Sequence, residues 1–152
     1  MWFAMTTGGV STTERALSVI VAAGLAVDAY VHFHLASAFA QVKTSTLSQA
    51  DIFRVDAVVA IIAAVLLLVR PRRSTVLFAF LVAAAGTVAV VLYRYVDVGA
   101  IGPIPNMYDP YWAPAEKAIS AVGEAVAAIA AAAMYMRLST THRLTTAAAA
   151  RL

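Results

Sequence analysis

Residues 57–73 read AVVAIIAAVLLLVRPRR, an unbroken run of Ala, Val, Ile and Leu closed by a proline among three arginines. A helix needs about 20 mostly apolar residues to cross a hydrocarbon core of ~30 Å. Extended back to about residue 49, this segment meets that length. Ser48 and Asp51 have the spacing of a capping arrangement at its start. Pro71 disfavours helix at the residue before it, so the helix stops near Val69. The segment therefore reads as one transmembrane helix ending in a basic turn.

The same pattern recurs on either side. A second span follows almost at once, over about 74–96, with Gly86 and Thr87 near its middle. Upstream, Ser11 to Glu14 fits a capping box for a helix over about 14–39. Arg15, the apolar stretch after it and Ala36-Ser37-Ala38 resemble a cleavable leader, but Asp28, His32 and His34 interrupt that pattern. We read it as a span. Pro114 and Glu116 suit the start of a last helix over about 113–138. The Thr- and Ala-rich tail from Ser139 either extends that helix or frays, and residues 1–10 read as poorly ordered or interfacial.

Composition agrees with four spans and one membrane domain over 1–152. Of 152 residues, 62% are hydrophobic and 12% charged, against roughly 25% charged in soluble domains. The pI of about 9.5 is accounted for by topology, so no nucleic-acid partner is expected. Cysteine is absent, which removes disulfides, thiol redox chemistry and thiolate metal sites. The predicted fold class is all-α, an antiparallel up-down four-helix transmembrane bundle.

Charge inside such a bundle carries the functional information. Asp28 and Glu124 stand near the middle of the first and last spans, where an ionised carboxylate costs at least ~2–3 kcal/mol. Helices one and four are neighbours in a closed bundle, so the two carboxylates are predicted to face each other. Two carboxylates in a low-dielectric site resist joint ionisation, so the pair calls for a shared proton or an intervening cation. His32 is four residues beyond Asp28 on the same face, while Ser120 and Lys117 extend a stripe from Glu124. With Arg54, Asp56 and Arg94 these residues outline a polar funnel opening outward, in which Arg94 and Asp97 stand three apart. Structural pairing between helices explains such charges equally well, and Arg54, Arg94 and Lys117 suit interfacial anchors.

Residues 97–113, DVGAIGPIPNMYDPYWA, are too rich in proline and glycine for a helix. They read as a shaped lid, with Asn106, Tyr108, Asp109 and Trp112 as its contacts to a ligand. Much of the aromatic content, Tyr93, Tyr95, Tyr108, Tyr111 and Trp112, also fits a headgroup belt. His32 and His34 point about 200° apart on a helix and cannot pair on one metal. A bis-histidine haem lacks its second ligand, since His142 falls in the tail. No metal site is expected, although His32 with Asp28 and Glu124 is geometrically conceivable. No phosphate loop, nucleophile elbow or HExxH motif occurs.

The segments AYVHFHLA (29–36), LSQADIFRVDAVVA (47–60) and YRYVDVGAIGPIPNMYDPYWAPAEKAISAVGEAVA (93–127) resemble an uncharacterised family of small four-helix membrane proteins from high-GC bacteria. The resemblance implies the fold and no activity. Size and helix count are also loosely similar to DoxX-like proteins, which implies a quinone-linked redox system by analogy only. The favoured reading is a protein without enzymatic activity, whose pocket binds a small or lipid-like ligand, or an accessory membrane subunit. A redox component using Asp28, His32 and Glu124 for protons, with quinone or haem as cofactor, and a proton-coupled transporter are the alternatives. The lipid bilayer is the expected partner, with a membrane protein or a second copy as a further one.

Orientation follows from lysine and arginine placement. With both termini in the cytoplasm, that side of the plasma (inner) membrane holds Arg15, Arg70, Arg72, Arg73, Arg137, Arg143 and Arg151, and the other only Lys43, Arg54, Arg94 and Lys117. Single cysteines test this directly. In intact cells an impermeant maleimide should label Asn106→Cys and spare Ser74→Cys, and the reverse pattern would invert the topology.

Overall fold

In a computed structural model, the protein is described over residues 11–149, with side chains described to 140. The readings of residues 1–10 and of the His142 side chain lie outside those residues. Four helices follow one another: α1 Thr12–Ala36, α2 Gln49–Val69, α3 Arg73–Tyr95 and α4 Glu116–Ala149. A single 3₁₀ turn, Ser37–Phe39, closes α1. The fold is an all-α four-helix bundle.

The helix starts obey local chemistry. Ser11 caps α1 and Glu14 returns to its backbone N–H at 2.8 Å. Ser48 and Asp51 make the same reciprocal pair at α2. Arg70 takes extended backbone at Pro71, and the Thr75 hydroxyl donates to the Arg70 carbonyl at 2.7 Å, so α3 begins at once. Helix α4 begins at Glu116, later than Pro114 suggests. Pro114 lies outside the helix behind a cis Ala113–Pro114 bond, and its carbonyl accepts from Lys117. At the other end α4 runs on through the Thr- and Ala-rich segment to Ala149.

Contacts between α1 and α4 run in opposite sequence order, from Ser18–Met134 through Gly24–Gly123 to Asp28–Ser120. The α3–α4 contacts do the same, from Arg73–Tyr135 to Gly86–Glu124. Helices α2 and α3 share the smallest interface of the three sequential helix pairs. The interior is built from small side chains. Ala57, Ala60, Ala63 and Ala64 line the buried side of α2, while Val55, Val58, Ile61, Ile62, Val65 and Leu68 face outward. Large apolar residues outside and alanine inside is the pattern of helices that associate by close backbone approach. All four helices are long and apolar enough to cross a membrane.

Glycine sets the closest approach. A Cβ on Gly24 would stand 2.5 Å from the Gly123 carbonyl oxygen and 2.9 Å from the Ala127 Cβ. Gly123 and Gly86 also lie at helix contacts, as their small size suggests. Ala60 is fully buried, because the alanine stripe and not the large residues of α2 faces the bundle. Gly24→Leu should therefore lower stability in detergent by at least about 1–3 kcal/mol through overpacking against backbone. Val65→Leu, on the outer face of α2, should leave the unfolding midpoint nearly unchanged. Equal effects of the two substitutions would contradict the packing.

Candidate functional site

The carboxylates at the centre of the first and last spans meet inside the bundle. Asp28 and Glu124 are each only 2% exposed. Ser120, one turn before Glu124, places its Oγ 3.0 Å from Asp28 Oδ1 and 3.1 Å from Glu124 Oε1. A hydroxyl carries one hydrogen, so it cannot serve both acceptors as donor. Glu124 fits only because α3 presents Gly86 there, where any Cβ would lie 2.6 Å from Oε2. Asp28 and Glu124 both sit about one turn to the loop side of their span midpoints, roughly 4–6 Å at 1.5 Å per residue.

His32 joins this centre from the turn above Asp28. Its Nδ1 is 2.6 Å from Asp28 Oδ1 and 3.6 Å from Asp56 Oδ2 on α2. The ring meets Phe53 edge-on at 4.7 Å between centroids, which fixes its plane. Asp28, His32 and Asp56 thus offer ligand atoms within 4.8 Å of one another. Their union was only partly legible beforehand, since the i, i+4 spacing joins Asp28 to His32 but nothing along the chain joins Asp56 to them.

Above this floor lies a cavity of about 280 Å³ between the loop-side halves of the helices. Val31, Leu35, Ile52, Phe53, Ala89 and Val90 form much of its wall. The pocket is therefore more apolar than a polar funnel implies, because each helix contributes only one or two polar turns. His32, Asp56, Ser120 and Glu124 line its floor, with Asp28 one layer behind His32 and Ser120.

The lid is folded on its own hydrogen bonds. Ile101 and Ile104 exchange backbone bonds across Gly102, whose φ of 57° suits glycine. Asp97 accepts from Asn106 Nδ2 at 2.8 Å and from the Gly99 amide. The Asp109 amide bonds the Tyr93 carbonyl, and the Thr44 hydroxyl of the α1–α2 connection bonds the Pro103 carbonyl at 2.8 Å. Lys117 pairs with Asp109 and lies over the Phe39 ring, which locks the lid to α4 and α1.

Several predicted site residues take different parts. Arg54 pairs with Asp51 on the exposed start of α2 and does not line the cavity. Asn106 and Tyr108 brace the lid instead of touching its interior, and Asn106 Oδ1 accepts from the Tyr108 amide. Asp109 and Trp112 do line the cavity, together with Met107, Tyr111 and Tyr93. Arg94 makes no ion pair with Asp97, which the lid has engaged. Its guanidinium lies over the Tyr95 and Trp112 rings at 5.1 and 5.5 Å, and its Nε is buried without a partner. Met107 and Phe53 gave no signal in sequence, since an apolar residue on a polar loop or a lipid-length helix is unremarkable.

Compared with protein-family models, with curated proteins and with solved structures, the chain matches none.

The centre predicts its own weak point. Ser120→Ala removes the one hydroxyl between two buried carboxyl groups and leaves acceptors unserved, at a cost of about 1–3 kcal/mol. Thr140→Ala removes an exposed hydroxyl that bonds only the carbonyl one turn back. Denaturant unfolding in detergent should show the first destabilised and the second close to wild type. Indistinguishable curves would mean that Ser120 does not bridge the pair.

Proposed function

We propose that the protein is a multi-pass protein of the plasma (inner) membrane, an antiparallel up-down bundle with both termini cytoplasmic, whose cavity binds a small amphipathic molecule from the outer side. The membrane assignment is supported by four apolar spans, an outward-facing layer of large aliphatic residues and the arginine-rich α2–α3 turn. The ligand assignment rests on one observation. Among the described residues, two buried side-chain atoms lack a hydrogen-bond partner, Glu124 Oε2 and Arg94 Nε, and both residues line the same cavity.

Buried polar groups are almost always satisfied. One unmet acceptor on Glu124 and one unmet donor on Arg94, both covered as they stand, describe a partner that these two side chains turn to meet. It carries a donor or cationic group toward Glu124, an acceptor toward Arg94 and an apolar body between. Gly86, against Glu124, and Arg94 are eight residues apart on α3, which is about 12 Å of helix rise. The volume of about 280 Å³ is at the lower end of ligand pockets, which run from ~300 to 1,000 Å³. A small molecule fits, and a whole phospholipid does not.

The carboxyl pair is well placed for protons, but its nearest groups are packed and hydrogen-bonded, and among the described residues Ser18 is the one buried polar side chain of the alanine-lined half below. A binding role is therefore favoured over a conducting one. Ala89→Phe places a ring in the cavity away from the acidic floor. Protein purified in mild detergent from its own membranes should release a small amphipathic compound on denaturation, seen by mass spectrometry. Ala89→Phe should release at least about tenfold less, the effect of ~1.4 kcal/mol of lost affinity. Equal recovery from both proteins, or none from the wild type, would overturn the reading.

A further inference from the structure

The floor of the cavity is rich in acceptors and poor in hydrogens. Three carboxyl groups, Asp28, Asp56 and Glu124, converge there. The donors that meet them are the Ser120 hydroxyl and one ring nitrogen of His32. Asp28 Oδ1 lies within reach of both. Asp56 Oδ2, at 3.6 Å from Nδ1, lies outside ordinary hydrogen-bond range. Glu124 is 2% exposed and lines the floor, tied through Ser120 to Asp28, and its Oε2 has no partner. Arg94 and Lys117, the cations on the same cavity, are engaged elsewhere, one over two aromatic rings and one with Asp109. Among the described residues, the His32 ring is the one group on this floor placed to balance the three carboxyl groups.

We propose that Asp28, His32 and Asp56 hold a divalent first-row transition-metal ion, with Glu124 as an adjoining carboxylate. The inference deepens the reading of the cavity as a binding site by naming what its acidic end takes. Asp28 and His32 are one turn apart on α1, the i, i+4 spacing that turns two ligands to one side, and Asp56 closes from α2. Ligand atoms around a tetrahedral ion with bonds of ~2.1 Å are about 3.4 Å apart. The His32–Asp56 separation of 3.6 Å already has that value. The 2.6 Å contact between His32 and Asp28 is a hydrogen bond, and it opens by under about 1 Å when the metal replaces the proton, as metal binding to histidine requires. One imidazole with carboxylate oxygens and no sulfur suits Zn²⁺ or Mn²⁺ and disfavours Cu⁺. An organic ammonium would satisfy the charge, but it does not explain three ligand atoms from two helices drawn within 4.8 Å of one another.

Full-length protein in lipid nanodiscs, freed of tags and stripped with chelator, is titrated calorimetrically with ZnCl₂ and MnCl₂. One equivalent of at least one of these ions should bind. Asp56→Asn sits at a partly exposed position and keeps the helix, and it should weaken binding by at least about tenfold, the lower range for disturbing a metal site. His32→Gln should do the same, with circular dichroism confirming that both variants retain their helices. Failure of both ions to bind, or one equivalent bound with unchanged affinity in both variants, would overturn the metal site. Ala89→Phe separates this result from the reading of the cavity. It should abolish retention of the amphipathic compound while leaving metal affinity intact. Retention of the compound by wild type without any metal binding would sink the metal alone.

Discussion

The structure depends on burying the Glu124 carboxyl group. A carboxyl at this depth must be neutralised, hydrogen-bonded or paired, and α4 alone can offer it only Ser120 one turn away. The remaining requirements fall on the neighbours. Helix α3 carries glycine at position 86, where a Cβ would stand 2.6 Å from Oε2 and force the carboxylate aside. Helix α1 must approach closely enough for Asp28 to reach Ser120, and Gly24 against Gly123 permits that approach two helical turns or less away. One buried acid thus accounts for three glycines and a serine on three helices.

That arrangement is costly as pure scaffolding. Transmembrane polar contacts average only ~0.6 kcal/mol, and close packing of the alanine and glycine stripes already brings the helices together. The serine bridge holds one oxygen of each carboxyl group, and it leaves Glu124 Oε2 without a partner. Unsatisfied groups in a buried interior call for a partner, and the described residues supply none for Glu124 Oε2. Arg94 repeats the pattern at the other end of the cavity, with its charge face covered by Tyr95 and Trp112 and its Nε unmet.

Much of the fold was legible because membrane spans are long and monotonous. Capping serines, the Arg70–Arg73 turn and the proline-rich loop fixed where each helix begins or ends to within a few residues. The exceptions have local causes. Pro114 stands before α4 and not in its first turn, and α1 gives way after Ala36 to a 3₁₀ turn over Ser37–Phe39. Within the site, Asp28–His32 and Ser120–Glu124 were visible as i, i+4 pairs, since both members ride one helix. Asp56 could be assigned to the funnel but not to His32, because their meeting depends on the rotation of α2 about its own axis. That rotation is set by the alanine stripe, which a hydropathy reading hides, as the burial of Ala60 demonstrates. Arg54 fails for the same reason, being two residues from Asp56 and so on another face.

The lid distinguishes the two ends of the bundle. A loop whose only task was to connect α3 to α4 would not need Asp97, Asn106, Asp109 and Lys117 to hold it against α1, α3 and α4. Ordering those residues costs about 1–2 kcal/mol each in backbone entropy, which the bonds recover only in concert. The α1–α2 connection joins the same structure through Thr44 and Pro103. The half of the bundle below has a short turn and an alanine-filled interior, and it holds the helices together. The half above keeps α2 and α3 apart, and the space between them is bounded by side chains from all four helices and by the lid. Close packing at one end and held separation at the other are what a four-helix bundle needs to keep a small cavity open within an apolar surround.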